Sequence, residues 1–335
     1  MSDAEVTDLP DADVTVVPDA EVAVLEGGEE EVAEMSEAEH TRSLIMNKRL
    51  LGRPEKLEYL ETWMPEGQIE ALEIGPSVAP LLTSTDSLHV RYMESDNTDS
   101  IRDRAVLAGK DPELVPDISF VYDPSKTLQE VVGEQSLDLV ASSHMIEHTR
   151  DLLGHLKEVH ASLKPGGRYL LVVPDKLLCS DICRPASTLG QVLASHKYGT
   201  EASVYAAQID SARYRVFRPD GRGWWNSNDV SEKSPKGPWL GQVQKVLDEP
   251  EKSSDEWMGH NWAFTADSFV DLIWDLVELG ELELGLVDIL PTGHMDFIAV
   301  LERRDIGFNA RYLRRKAGNR LQHMGYTGGD RRFIK

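Results

Sequence analysis

The polar residues that could do chemistry fall in four short strings. Glu73-Ile-Gly75-Pro76-Ser77 closes the apolar run Ile69-Glu-Ala-Leu72. A glycine there lets the backbone turn at positive φ and come close to a ligand. Dinucleotide sites add a second and a third glycine to make room for a pyrophosphate. Here Val78-Ala79-Pro80 follow instead. An acid ahead of such a turn suits a ligand that lacks phosphate and carries a cationic group. The second string ends in Glu94, after the run Leu88-His-Val-Arg-Tyr-Met93. A carboxylate in that place can accept both hydroxyls of a ribose, and Asp96 competes for the role. Asp123, just ahead of Pro124, is a natural turn-former.

The third string is Ser142-Ser143-His144-Met-Ile-Glu147-His148, after the apolar Leu137-Asp-Leu-Val-Ala141. An imidazole here can be poised near neutral pH to take a proton from an acceptor hydroxyl. It can equally stand as a polar wall that positions a substrate. Glu147 and His148 are expected to pack and hydrogen-bond where the next helix begins. His-x-x-Glu-His is also a zinc string of certain peptidases. That use needs both histidines on one helical face, whereas His144 directly follows a strand, so no metal is expected. The fourth string is Pro174-Asp175-Lys176 with Asp181, Arg184 and, much later, His260. Lys176 and Arg184 could meet a carboxylate or phosphate on an acceptor. The whole set could also be an internal salt-bridge network. Cys179 and Cys183 have no neighbouring ligand pair for zinc.

These strings need a frame that brings them together. Strands are expected at 69–74, 88–93, 118–122, 137–142 and 167–173. Helical segments fit between them, most clearly 150–163, which puts Leu152, Leu153, Leu156, Val159, His160 and Leu163 on one face. Short apolar strands alternating with helices imply a parallel sheet covered on both faces. A helical pattern over 42–64 precedes the sheet. A helix over 265–279 and strands at 282–290 and 294–302, close enough to pair antiparallel, follow it. Residues 198–258 are too long and too rich in Pro and Gly strings for an ordinary connection. They read as an inserted cap, with Trp224, Trp225 and Trp239 as its small core or as a stacking surface.

The order and spacing of Glu-Ile-Gly-Pro, His-x-x-Glu-His and Leu163-Lys-Pro-Gly-Gly-Arg-Tyr-Leu-Leu-Val-Val-Pro-Asp175 resemble the class I S-adenosylmethionine-dependent methyltransferases. Pro174-Asp175-Lys176, Asp181, Arg184-Pro185, Thr188 and the block His260-Asn-Trp-Ala-Phe264-Thr265 to Ser268-Phe269 resemble, more narrowly, a bacterial subfamily. Its members are often linked to glycan or secondary-metabolite pathways. The resemblance covers roughly 45–303 and lapses at Leu177-Leu178-Cys179-Ser180, where Arg-Tyr-Thr-Phe is usual, and at Ala266, where Pro is usual. It implies an α/β fold, a Rossmann-like doubly wound seven-stranded sheet of five parallel strands plus a C-terminal antiparallel hairpin. That domain would occupy 42–197 and 259–303, with the cap at 198–258 over the acceptor site. The implied cofactor is S-adenosyl-L-methionine, held by Glu73, Gly75, Pro76, Ser77, Glu94 on the ribose, Asp123 beside the adenine, and Ser143. The implied reaction is O-methylation of a small molecule or glycan hydroxyl, with His144, Asp175, Lys176, Asp181 and His260 around the acceptor and no metal. N- or C-methylation stays open, as does a catalytically silent scaffold with the same fold. A nicotinamide oxidoreductase fits the glycine pattern least.

Charge narrows the partners. The 335 residues carry a formal net charge of −23, which argues against nucleic acid as a partner. Residues 1–39 hold fourteen Asp or Glu and no Lys or Arg. Their eight-residue repeat, starting at Asp3, Asp11 and Asp19, matches no solenoid period. A disordered, solvating tail over 1–41 is expected, with a docking segment as the alternative. Residues 304–335 form a basic tail. Two cysteines suggest a reducing compartment, with the cytoplasm as the expected location. No apolar run reaches 18 residues, so no membrane span is expected, and no secretory leader pattern opens the chain. The oligomeric state is not legible.

Overall fold

Apolar residues repeating every second position sort the strand side chains onto two faces. The computed structural model describes residues 54–218, 221–224, 239–248 and 259–304. In it β1 (Ile69–Ile74), β2 (Leu88–Glu94), β3 (Phe120–Val121), β4 (Leu137–Ser143) and β5 (Leu163–Pro174) run parallel. β6 (Leu284–Pro291) and β7 (Asp296–Arg303) close the sheet as an antiparallel hairpin. The order is β3-β2-β1-β4-β5-β7-β6, so β7 lies inside the sheet between β5 and β6. Leu72, Val140, Leu171 and Val173 enter one apolar layer. Their neighbours Ala71, Leu139, Ala141, Leu170 and Val172 enter the other.

Helices cover both layers. α1 (Pro54–Glu61) buries Tyr59 and Leu60 in the layer of Ala71. α2 (Thr98–Leu107) packs Ile101 and Ala105 with Val115 near the sheet's edge. α3 (Leu128–Val132) and α4 (Leu152–Ser162) lie on the layer of Leu72. α5 (Leu189–Tyr198), α6 (Glu201–Tyr214) and α7 (Trp239–Asp248) follow, with α6 packed on α7. α8 (Ala266–Glu278) returns to the layer of Leu72 with Phe269, Val270, Ile273 and Trp274. Its start is a capping box in which Ser268 N donates to Thr265 Oγ1 at 3.0 Å and Thr265 N to Ser268 Oγ at 2.9 Å. That accounts for part of the His260–Phe269 block as helix nucleation rather than chemistry.

β3 and β5 depart furthest from the expected bounds, the other strands lying within two residues of theirs. β3 keeps only two of the five residues, because Ile118 N turns to Thr98 Oγ1 and Ser119 Oγ takes Tyr92 N. β5 starts four residues early, since Leu163 already pairs with Leu137 before a register shift. The acidic repeat, the first part of the 42–64 helical pattern, parts of 198–258 and the basic tail lie outside the described residues. Among the described residues, no helix is long and apolar enough to cross a membrane.

The chain winds outward from β1 to β2 and β3, then returns to lay β4 on the other side of β1. The crevice between the carboxyl ends of β1 and β4 is therefore the topological switch point, where open α/β sheets bind ligands.

Candidate functional site

On the β1 side of the crevice, backbone amides grip the acids. Gly75 turns at φ +73°, and a Cβ there would meet Met145 Cγ at 3.2 Å. The turn after β1 thus touches the loop after β4. Glu73 is 0% exposed, and its two oxygens accept from Leu81 N at 2.7 Å and Leu82 N at 2.9 Å. This folds 76–82 back across the end of β1. Burial pushes the Glu73 carboxyl up to about 8 against the pull of those two amides. Glu94 accepts from Ser77 N at 3.0 Å and Ser95 N at 2.9 Å. It is half-buried and has no cationic partner among the described residues. Asp96 turns toward Arg104 at 3.8 Å. Pro76 is buried, while Ser77 is exposed at φ +47°. Asp123 accepts from Ser125 N at 3.0 Å and Ser125 Oγ at 2.6 Å, and these bonds hold its carboxyl below the usual range. It is a turn-former beyond the end of β3.

On the β4 side the acids face side chains. Ser143 ends β4, and His144 follows at φ +50°, its N–H donating to Val172 O at 2.9 Å. A non-glycine residue held left-handed costs about 1 kcal/mol or more; among the described residues Ser77 and Gln135 share this state. His144 Nε2 lies 3.7 Å from Asp296 Oδ2 and Nδ1 lies 3.9 Å from Glu147 Oε1. Desolvation lowers the imidazole's affinity for its proton, but these two carboxylates outweigh it and raise its pKa. Asp296 in turn accepts from Lys56 Nζ at 2.8 Å and Thr292 Oγ1 at 2.7 Å. Burial disfavours its charge, yet His144 and Lys56 hold its carboxyl well below the usual range.

Glu147 is 1% exposed, and neither carboxylate oxygen has a hydrogen-bond donor. His148 Nε2 lies 3.7 Å away. The His148 and His260 rings meet edge-on with centroids 5.0 Å apart. His260 Nδ1 is bonded to Asp181 Oδ2 at 2.5 Å. Burial works against the Asp181 charge, but His260 and Arg184 bring its carboxyl down to about 2. Arg184 spends its two terminal nitrogens inside the protein, on Asp181 at 3.4 Å, His260 O at 2.9 Å and Asn261 O at 3.3 Å, while its Nε has no hydrogen-bond partner among the described residues. Lys176 is 2% exposed and reaches Ile182 O at 3.4 Å; Asp175 is 1% exposed and accepts from Leu177 N at 2.9 Å. The fourth string is thus largely an internal network whose exposed tip is His260. Beside it a cavity of about 890 Å³ opens between α5 and α6, lined by Arg184, Gln191, Ser203, Asp210, Asn261 and Trp262.

The structure brings together Glu73, Gly75, Pro76, Ser77 and Glu94 at one side of the crevice, and Ser143, His144, Asp181 and His260 at the other. It sets Asp123 beyond the end of β3. Lys56, Met145 and Asp296 belong to the site and escaped the sequence reading. Asp296 left a faint signal, an acid at the head of the apolar run Phe297-Ile-Ala-Val-Leu301, and Lys56 left none.

Residues 72–171 match the family model described as a methyltransferase domain. The chain therefore carries a methyltransferase domain of the S-adenosylmethionine-dependent kind. The strand order, with its antiparallel β7 between β5 and β6, is the sheet expected of that class. No curated protein matches the chain. Among solved structures, an S-adenosylmethionine-dependent methyltransferase from Mesorhizobium loti is 15% identical, over 76% of this chain and 100% of that one, with a TM-score of 0.37. One from Methanosarcina mazei is 14% identical, over 75% and 98%, with a TM-score of 0.36. The CurJ carbon methyltransferase is 10% identical over 75% of this chain, which spans about half (53%) of the CurJ chain, with a TM-score of 0.38.

The methyltransferase's crevice suits its cofactor by charge. The amides that could cradle a phosphate, those of Ser77, Leu81 and Leu82, are already committed to Glu94 and Glu73. With Glu73 buried and its carboxyl raised to about 8, the Glu94 carboxylate is the acid left at the rim, where it repels a pyrophosphate and suits a ligand carrying sulfonium and ammonium groups.

Proposed function

We propose that the methyltransferase methylates a hydroxyl oxygen of a small molecule or glycan, with His144 as the base. S-adenosylmethionine supplies an electrophilic methyl group on its sulfonium. In this reading Glu94 accepts the ribose hydroxyls, Gly75 and Pro76 let the backbone come close, and Ser77 and Ser143 border the cofactor. Glu73 acts through the loop it folds back. Asp123 is assigned to the adenine end. With the cofactor bound, the acceptor oxygen would take the methyl group as its bond to the sulfonium sulfur breaks and S-adenosylhomocysteine leaves. The acceptor's proton would pass to His144, whose imidazolium Asp296 stabilises. Asp175, Lys176 and Asp181 fix the wall, and His260 faces the acceptor. The described part of the 198–258 insertion, α6 above all, would cap the acceptor side through the α5–α6 cavity, whose size is that of a small-molecule site.

The observation that carries this reading is His144 itself. It is a left-handed non-glycine residue at the tip of β4, about a third exposed and flanked by two buried carboxylates. The test is a panel of hydroxylated small molecules and glycans, scored by S-adenosylhomocysteine release and by the site of the new methyl group. An O-methyl product whose formation collapses in His144→Asn supports it. A product methylated on N or C, or full turnover in His144→Asn, removes it.

A further inference from the structure

Glu147 is the one acid of the site whose surroundings make no sense for an anion alone. It is 1% exposed, yet neither oxygen has a hydrogen-bond donor. A buried, unpaired carboxylate is costly, and buried charges are normally paired or coordinate metals. The nearest imidazole nitrogens, at 3.7 and 3.9 Å, stand beyond hydrogen-bond distance.

The histidines beside it are wired as ligands. His148 Nδ1 lies 3.2 Å from Gly259 O. A carbonyl only accepts, so Nδ1 carries the proton and Nε2 presents its lone pair on the Glu147 side. His260 Nδ1 is likewise committed, to the Asp181 carboxylate, which leaves Nε2 with a free lone pair. Metal-binding histidines characteristically donate their other ring N–H to a carboxylate or a backbone carbonyl, which fixes tautomer and orientation. One ligand atom each from Glu147, His148 and His260 lies within 4.8 Å of the other two. Bonds of about 2.0–2.2 Å in a tetrahedron separate ligand atoms by about 3.4 Å. The 3.7 Å between Glu147 Oε1 and His148 Nε2 is already close to that edge. The neighbouring grouping Cys179, Asp181 and His260 is the poorer choice, because Asp181 already serves both Arg184 and His260.

We propose that Glu147, His148 and His260 hold a divalent transition-metal cation of the zinc type. One carboxylate and two imidazoles suit such an ion better than magnesium or calcium, which favour oxygen ligands. Three protein ligands leave a coordination position open. An acceptor oxygen can occupy it and become more acidic there. The site stands whether or not the methylated atom is oxygen.

The test uses chelator-treated full-length protein. It is titrated with Co²⁺, read by its visible d–d bands, and with Zn²⁺ by calorimetry. One ion per chain should bind, with nitrogen and oxygen ligation. Glu147→Gln and His148→Ala should each weaken binding at least ten-fold, and Asp181→Asn by about ten-fold through loss of the orienting partner. His89→Ala, an exposed histidine on β2, should change nothing. The proposal is overturned if the unaltered protein shows no saturable binding at one ion per chain. It also falls if a thiolate-to-cobalt charge-transfer band appears, or if both site variants bind as the parent does. The parent titration needs no variant and no acceptor, so neither misfolding nor failure of the O-methylation reading shelters it.

Discussion

Glu73 and Glu94, at the end of β1 and β2, are gripped by the backbone amides of Leu81, Leu82, Ser77 and Ser95. Across the crevice, Asp181 and Asp296 are held by His260, Arg184, His144 and Lys56, and Glu147 by no hydrogen-bond donor at all. Backbone amides cannot change charge, so the first region can be shaped for one invariant ligand. Side-chain partners titrate, move and mutate, so the second can be refitted to different acceptors while the fold stays the same. A cofactor region that varies little and an acceptor region that varies much is what a reusable fold needs.

The sharpest way to break this contrast is at the buried pair. Lys56→Met takes the nearest cation from the buried Asp296, leaving it His144 and Thr292 Oγ1, and should cost about 3–5 kcal/mol of stability, read as a lower denaturant midpoint at constant slope. A variant that unfolds like the parent would show that the acceptor side does not depend on side-chain pairing. Next in size, Glu94→Ala removes the acceptor of two ribose hydroxyls and should weaken S-adenosylmethionine binding by about 2–4 kcal/mol. Calorimetry with S-adenosylhomocysteine reads it, and unchanged affinity in a folded variant takes Glu94 out of the site. His144→Asn should then lower turnover roughly 100-fold, about 2.7 kcal/mol, with cofactor affinity nearly unchanged. A matched loss of cofactor affinity would mean that the two regions are not separable.

The smallest effect is the most diagnostic. The Glu73 carboxyl is raised to about 8, so the fold binds a proton that the unfolded chain releases near 4.5. Its contribution is therefore full at low pH and lost as pH rises toward 8. The Asp296 carboxyl is depressed, so its contribution is present above about 4 and lost as pH falls further. Thermal midpoints across pH 3–8 should flatten on the alkaline side in Glu73→Gln and on the acid side in Asp296→Asn. If both substitutions act on the same side, the two regions are not held in opposite ways.

Much of the frame was legible because it rests on local pattern. β1 and α4 fall within two residues of their expected bounds, since apolar periodicity reports burial directly. β3 was overestimated because Ile118 and Ser119 look like strand residues while Ile118 N donates to Thr98 Oγ1 and Tyr92 N to Ser119 Oγ, side-chain bonds that stand in for the ladder. In the site, the strand-end positions of Gly75, Glu94 and His144 could be read from the runs they close. The grip of Leu81 and Leu82 on Glu73 could not, because loop amides carry no sequence signal. Lys56 and Asp296 are 240 positions apart, and a single ion pair at that separation leaves no trace in composition or spacing. Arg184 illustrates a different limit. Its residue type fits acceptor binding and internal pairing equally, and only its spent donors decide between them.

The place of β7 has a consequence for how the protein is made. Among the described strands it is the last in the chain, yet it occupies an interior position, between β5 and β6. At about 5–20 residues per second, the roughly 120 residues between the end of β5 and the start of β7 take about 6–25 s to translate. Until then β5 has a bare edge and Lys56 has no Asp296 to neutralise it. The nascent chain therefore spends that interval with an open sheet edge, the state most exposed to mispairing with other chains. Chaperone dependence during translation, easing once residue 303 has emerged, is built into this strand order.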